Sequence, residues 1–425
     1  MSETALQPAR EELRALAVET FDTLRRSTAA RQGVSRESFG AGENAALGIL
    51  IDLARRFGLE TATDRAANLL ISLPGQAGAT PYIACGSHMD SVPEGGNFDG
   101  AAGVVAGLLA LVRARLEDAR PRHPVRVIAL RGEESAWYGK ACVGSSALFG
   151  RLQKADLASV HRDGTGTLGE AMKRQGAAVE AIEAGAPLVD PADIAGYVEL
   201  HIEQGPILVA DRLPTAVVTS IRGNLRHRRI RCIGEAGHSG AVPRGLRNDP
   251  VMAAAALIHA LDNHWQGWLD RGHDIVVTTG IVETDARSHS VSRIAGEVDF
   301  SFEVRSEDRA TLEGFYELMR SECDRIARER RVMFTFDRRI DAEPAVMDRR
   351  WVDKLLAHAR ALSLPERTIL SGAGHDAVLF ASAGIPSAMI FIRNHNGSHN
   401  PNEAMDIDDF LKGADLLYRA LMDPP

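Results

Sequence analysis

Hydrophobic and polar positions follow two rhythms in the first half of the chain. The stretches "REELRALAVETFDTLRR" and "ENAALGILIDLARRFG" read as helices, whereas "YIACGS" and "VRVIALRG" are short apolar runs of the kind a buried strand shows. Between those two runs, "AGVVAGLLALVRARLEDA" reads as a helix of small and aliphatic residues, and further on "GYVELHI" reads as a strand that ends on polar residues. Strands separated by helices predict a mostly parallel sheet with covered faces.

The texture changes near Thr215. "TAVVTSIRG", "RHRRIRCIGEAG", "DIVVTTGIVET" and "GEVDFSFEVRS" alternate or are β-branched, and the helical stretches "DPVMAAAALIHALDNHW" and "DRATLEGFYELMRSECDRIARER" join them. This is the pattern of a smaller α+β unit with an antiparallel sheet. After "VMFTFDRRI" helix and strand alternate again, through "AVLFASAG", "PSAMIFIR" and "DIDDFLKGADLLYRALM". The predicted fold is α/β: a mixed, mostly parallel sheet domain over 1–213 and 331–425, interrupted by an inserted α+β domain over 214–330. Between two strands, "HRDGTGTLGEAMKRQGAAVEAIEAGAP" reads as an excursion.

Composition narrows the function classes. The 425 residues are 45% hydrophobic and 25% charged with a net charge of -8, a soluble globular balance without the basic footprint of a nucleic-acid or anionic-membrane binder. The start, "MSETALQPAREELRAL", carries charges where a secretory signal needs an apolar core, and no apolar run has the length of a membrane span, so a cytoplasmic location is expected. Cys85, Cys142, Cys232 and Cys323 lie far apart, which predicts reduced thiols rather than disulfides.

Candidate chemistry sits at the ends of the predicted strands. His88 and Asp90 follow "YIACGS", Glu133 and Glu134 follow "VRVIALRG", His201 and Glu203 follow "GYVEL", and His399 follows "AMIFIRNHNGS". Asp99 stands at the start of a helix, where a carboxylate also serves as an ordinary N-cap. Singly, each has a plain reading as a cap, a solvated corner or a satisfied histidine. Their recurrence after four strands is different, because ligand sites in α/β sheets gather at strand carboxyl ends, and nitrogen with carboxylate is the donor set of borderline divalent metals.

Six stretches, "GSHMDSVPEGGNFDGAAGV", "EES", "HIEQGP", "GHSGAVP", "GAGHDA" and "SHNPNE", occur in this order. From roughly Glu11 to Leu421 the chain resembles the dinuclear-metal amidohydrolase and peptidase family that includes N-carbamoyl-L-amino acid hydrolases, allantoate amidohydrolases and related ureido acid hydrolases. The resemblance implies two divalent metal ions, zinc first, with manganese, cobalt or nickel also admitted. Asp99 would bridge them, with His88 and His201 completing one site and Glu134 and His399 the other. Asp90 would fix the His88 tautomer, and Glu133 would be the general base. By the same resemblance Gln204 binds the amide or ureido group, and Arg305 pairs with a substrate carboxylate. His238 polarises the carbonyl across a dimer interface, which makes the inserted domain a dimerisation and lid domain. The implied protein is a homodimeric hydrolase of a small ureido or amide substrate, with no nucleic-acid or membrane partner.

One stretch departs from the family. Where Asn-Val-Ile-Pro-Gly is usual, this chain has "SRIAGE", which puts Ser292 at the substrate-contacting asparagine and Ala295 at the proline. Val242 and Arg244 likewise replace a common threonine and methionine. An amidase for another N-acyl amino acid or an aryl amide therefore stands beside the ureido reading, as does a metal-free binding protein that keeps the fold.

Overall fold

Every side chain of the strand Tyr82–His88 is buried, so its sequence shows no alternation. Val125–Leu130 pairs with it on one side and Ile194–Ile202 on the other, and Ser387–Ile392 lies beyond the latter, all of them parallel. The flanks run the other way. Leu69–Ser72 is antiparallel both to Val125–Leu130 and to Glu60–Thr63, and Thr215–Ile221 is antiparallel to Ser387–Ile392. The α/β expectation holds, but the sheet is mixed and its parallel part is confined to the centre. The reason at one flank is local: the short link 64–68 permits only a hairpin, and the Asp64 carboxylate fixes that turn by accepting the N–H groups of Ala66 and Asn68.

The computed structural model describes residues 3–425, which form two compact units: residues up to Thr219 with Val346–Pro425, and Ser220–Ala345. The divisions fall later than the sequence pattern placed them. Thr215–Ile221 starts in the first sheet, while Met333–Phe336 and Ile340–Ala342 both pair with Gly223–Ile233 of the second.

In the first unit the helix Ala101–Leu116 is buried along almost its whole length. Its small residues are a packing requirement. A Cβ on Gly103 would lie 2.1 Å from the Leu200 carbonyl oxygen and 2.8 Å from Ser87 Cβ. Glycine thus lets the helix rest directly on the strands that end near His88 and His201.

In the second unit Gly223–Ile233 pairs antiparallel with Glu297–Ser306 and Met333–Phe336. The strand Glu297–Ser306 alternates strictly between half-buried and buried positions, so one face is core and the other is open. Phe300, Phe302 and Val304 belong to a core shared with Leu257 and Leu261 of the helix Pro250–Leu269 and Phe315 and Met319 of Arg309–Arg330. Asp249 and Asp308 cap those helices. "DIVVTTGIVET", expected as one strand, is two: Val276–Thr278 and Val282–Glu283. The register of Glu297–Ser306 shifts between Phe300 and Phe302, and the Ser301 hydroxyl takes the N–H groups of Gly280 and Ile281 in place of ladder bonds. All four cysteines are free and buried. Among the described residues no helix is long and apolar enough to cross a membrane.

Candidate metal centre

Because the central strands are parallel, their carboxyl ends share one edge of the sheet. His88 ends its strand, Glu133 and Glu134 follow Val125–Leu130, His201 lies one residue before the end of Ile194–Ile202, and His399 lies beyond Ser387–Ile392. Asp99 is not the helix cap. That position is Gly100, with φ of 64° and no side-chain cap, and a Cβ on it would come within 2.5 Å of the His88 ring.

The Asp99 carboxylate faces two ways. Its Oδ1 lies 3.4 Å from His88 Nε2 and 3.2 Å from His201 Nε2, and its Oδ2 lies 3.4 Å from His399 Nε2. His399 Nε2 is in turn 3.3 Å from Glu134 Oε1. Two donor groups, His88–Asp99–His201 and Asp99–Glu134–His399, therefore share one carboxylate, each compact enough to hold an ion. Asp99 Oδ1 and Glu134 Oε1 are buried without a hydrogen-bond donor. An unpaired buried carboxylate oxygen is costly, and a cation removes that cost. The donors fit a pair of divalent ions. A further grouping, Glu199–His201–His375, shares His201, but Glu199 already accepts from Ser87, Tyr197 and the Ala377 N–H.

Neighbouring residues hold this arrangement. Asp90 Oδ1 is 3.3 Å from His88 Nδ1, and the same carboxylate accepts from the Ser38 hydroxyl at 2.6 Å and from the N–H groups of Glu133 and Glu134 at 3.1 and 3.0 Å. Asp90 thus orients the imidazole, whose Nδ1 also meets the Asp90 backbone carbonyl at 3.1 Å, while the Asp90 side chain pins the acidic loop. Glu133 belongs to neither donor group. Its Oε2 is 4.0 Å from His88 Nε2, and its Oε1 accepts from the Cys142 thiol at 3.4 Å. Gln204 Nε2 donates to Asp99 Oδ2 at 2.8 Å, while Gln204 Oε1 is buried without a donor. Gln204 and His399 both have left-handed backbones, φ 64° and 59°, which cost on the order of 1–3 kcal/mol each for residues other than glycine.

Burial drives Glu133 well above the usual carboxylate range and pushes Glu134 and Asp376 up to about 7. Burial acts on Asp99 in the same direction, yet the close imidazoles of His201, His399 and His88 hold it well below. His399 is raised to about 9, first by its hydrogen bond to Asp99. The cluster thus carries more buried carboxylate than the histidines neutralise.

Two contributors escaped the sequence reading although they stand in the quoted "SHNPNE". Ser398 Oγ donates to Asp99 Oδ2 at 2.5 Å, and Glu403 accepts from the N–H groups of Phe98 and Asp99 and lies 2.6 Å from Ser398 Oγ. The signal was their place beside His399.

The second unit holds the remaining candidates. His238 is exposed on a short strand, Gly237–His238, paired with Arg293–Ile294, and the Ser239 N–H donates to the Ser292 carbonyl at 2.8 Å. His238 and Ser292 therefore occupy adjoining segments. Arg305 lies on the open face of its strand, forked onto Glu303 at 3.0 and 3.1 Å.

Known proteins are similar to this chain along most of its length. An N-carbamoyl-L-amino-acid amidohydrolase from Pseudomonas sp. (strain NS671) is 30% identical over 393 residues, 92% of this chain and 93% of that protein. The allantoate amidohydrolase of Escherichia coli (strain K12) is 33% identical over 361 residues, 85% of each. The solved structure of an amidase of the hydantoinase/carbamoylase family from Burkholderia multivorans matches with a TM-score of 0.86 at 27% identity, covering 97% of both chains. The model of peptidase family M20/M25/M40 matches residues 84–423, and the chain belongs to that family.

Proposed function

We propose that this protein hydrolyses the carbamoyl C–N bond of an N-carbamoyl-L-amino acid or a related ureido acid, using two divalent metal ions. It is an amidohydrolase of non-peptide amides, as its family and its relatives of about 30% identity indicate. The observation that carries the hydrolytic reading is the shared Asp99 with Glu133 4.0 Å from His88 and outside both donor groups, and the names of the relatives favour a ureido substrate.

In this reading His88, Asp99 and His201 hold one ion, and Asp99, Glu134 and His399 the other; imidazole and carboxylate donors make zinc the first choice. Bound there, such ions polarise a carbonyl and make water a nucleophile at neutral pH. Glu133 takes the proton of the attacking water and delivers it to the leaving nitrogen, a task open to a carboxylate that stands next to the donors and belongs to neither group. Gln204 uses its amide nitrogen on Asp99, which leaves the buried Oε1 to accept an N–H of the ureido group. His238 polarises the carbonyl oxygen from the partner chain of a homodimer, with Ser292 beside it, and Arg305 pairs with the substrate carboxylate. One water is consumed, and amino acid, ammonia and carbon dioxide leave.

The test is a panel of N-carbamoyl, N-formyl, N-acyl and aryl amide substrates offered to protein of measured metal content. Ammonia released in step with the free amino acid supports the proposal. Amine release without ammonia would favour the amidase alternative, and binding without turnover in metal-free protein would favour a binding protein.

A further inference from the structure

Arg36 is 0% exposed, and its fork reaches two separate loops of the first unit. Its Nε donates to the Met89 carbonyl at 2.7 Å, and its Nη1 and Nη2 donate to the side-chain and backbone oxygens of Asn97 at 3.2 and 3.3 Å. Met89 stands between His88 and Asp90, and Asn97 stands two residues before Asp99. The backbone of Arg36 is fixed on its own account, since its N–H donates to Ser91 Oγ at 3.0 Å and its carbonyl accepts the Ser91 N–H at 2.9 Å. Asn97 is anchored in turn: its Nδ2 donates to the Phe21 carbonyl of the helix Glu3–Ser27 at 2.9 Å. A fully buried guanidinium is ordinarily paired with a carboxylate, yet all three acceptors here are uncharged. Burial pulls Arg36 below its ordinary value, and the carboxylates that oppose this are Glu403, Asp99, Asp90 and Glu134, all at the candidate centre.

We infer that Arg36 is a positioning residue for one of the two ions, the one assigned to His88, Asp99 and His201. The inference rests on that assignment, made under the proposed function. Three donors in one rigid plane hold the His88 loop and the Asp99 loop at a set distance, which a single ammonium on a flexible stem cannot do. The pair so spaced is His88 Nε2 and Asp99 Oδ1, 3.4 Å apart. None of the three acceptors belongs to the segments that carry Glu134 and His399. Asp99 is common to both groups, but its Oδ2, the oxygen that faces His399, is held by Gln204 and Ser398 rather than by Arg36. Loosening the fork therefore moves the donors of one ion and spares those of the other.

The test isolates each ion in turn. His399→Ala leaves His88, Asp99 and His201 as the complete group, and His88→Ala leaves Asp99, Glu134 and His399. Zinc is titrated by calorimetry into the full chain after chelator treatment, in each background, with and without Arg36→Lys, which keeps the charge and removes the fork. In the His399→Ala background Arg36→Lys should weaken zinc binding by about tenfold or more, the usual cost of losing a partner that orients a ligand. In the His88→Ala background the change should stay within about threefold. Asn97→Ala, which breaks the same span at its other end with Arg36 in place, should show the same selectivity and decides the matter where Arg36→Lys does not fold. Cobalt in place of zinc adds a spectroscopic readout: the visible bands should shift in the first background and not in the second. A merely structural role would lower the urea midpoint and weaken both backgrounds alike or neither, and either result overturns the inference. Failure of the underlying reading looks different. Wild-type protein that takes up no zinc would remove the two-ion assignment and this inference with it, whereas wild type that takes up two ions, with variants that do not discriminate between them, would remove this inference alone.

Discussion

Replacing Glu133 with glutamine separates proton transfer from metal binding. The backbone of this residue is held independently of its carboxylate, since Asp90 accepts its N–H and its carbonyl accepts the Cys142 N–H at 2.9 Å. Among the described residues its side chain makes one hydrogen bond, from the Cys142 thiol at 3.4 Å, and lies 4.0 Å from His88, so its loss breaks no strong polar contact. A neutral amide also relieves the burial that pushes this carboxyl up. The variant should therefore fold with at least wild-type stability and bind both ions.

What it lacks is a proton acceptor. A positioned general acid–base group is worth about 10²–10⁴ in rate, or roughly 2.7–5.5 kcal/mol at about 1.36 kcal/mol per decade. The expected result is a kcat lowered by that factor, with KM and metal content near wild type. Ammonia release gives the rate, elemental analysis the metal, and thermal unfolding the stability. A metal-replete, folded Glu133→Gln protein with kcat within about threefold of wild type would refute the reasoning, because an acid–base group cannot be removed so cheaply. Loss of metal would refute it differently, by making Glu133 a ligand.

Metal uptake should depend on pH with a definite sign. His399 is held at about 9 by Asp99, so it carries a proton in the metal-free protein near pH 7 and must lose it to bind, and Asp90 and Asp99 shift His88 in the same direction despite burial. Affinity for zinc should fall by up to about tenfold per displaced proton for each unit of pH from 8 to 6.5, and a pH-independent titration of chelator-treated protein would contradict this. Gly103→Ala should cost about 1–3 kcal/mol in urea unfolding, since its Cβ would meet backbone at 2.1 Å, and an unchanged midpoint would show that the helix has room to shift. If His238 acts across a dimer, mixing inactive His238→Ala with inactive Glu133→Gln should restore activity through hybrid dimers. No recovery in mixtures shown to exchange subunits would place His238 outside the partner's site.

The sequence was most readable where burial on both faces leaves a continuous apolar run. Tyr82–His88 and Ser387–Ile392 stand out for that reason, and their ends point to His88 and His399. Less readable were positions fixed by contacts distant in sequence. Nothing in "TAVVTSIRG" states that its first residues pair with Met389–Ile392, and nothing in "DIVVTTGIVET" shows that Ser301 interrupts it. Asp99 is instructive. At the start of a helix it reads as a cap, and only the three-dimensional approach of His88, His201 and His399 gives it another task. Ser398 and Glu403 escaped because a hydroxyl and a carboxylate in a polar loop are unremarkable until their hydrogen bonds to Asp99 and its backbone are known.

The departures from the family and the candidate metal donors lie on different units. His88, Asp99, Glu134, His201 and His399 belong to the unit built around the parallel strands, whereas Ser292, Ala295, Val242 and Arg244 all belong to Ser220–Ala345. The first group is bound by geometry: Asp99 alone meets three histidines and Gln204 while Ser398 holds its Oδ2, and a change at any of them disturbs the rest. In the second group Ser292 and Arg244 are exposed and Val242 and Ala295 half-buried, with Ser292 and Ala295 flanking the short strand Arg293–Ile294, so a substitution there changes fewer neighbours. If the second group meets the substrate as proposed, hydrolytic chemistry can stay constant while the substrate changes, because those side chains carry little of the fold. It follows that a substrate search guided by relatives should vary the groups beyond the ureido nitrogen before it varies the scissile bond. A preference that moves with Ser292→Asn and leaves kcat on the preferred substrate unchanged would support this division. A fall in metal content in the same variant would argue against it.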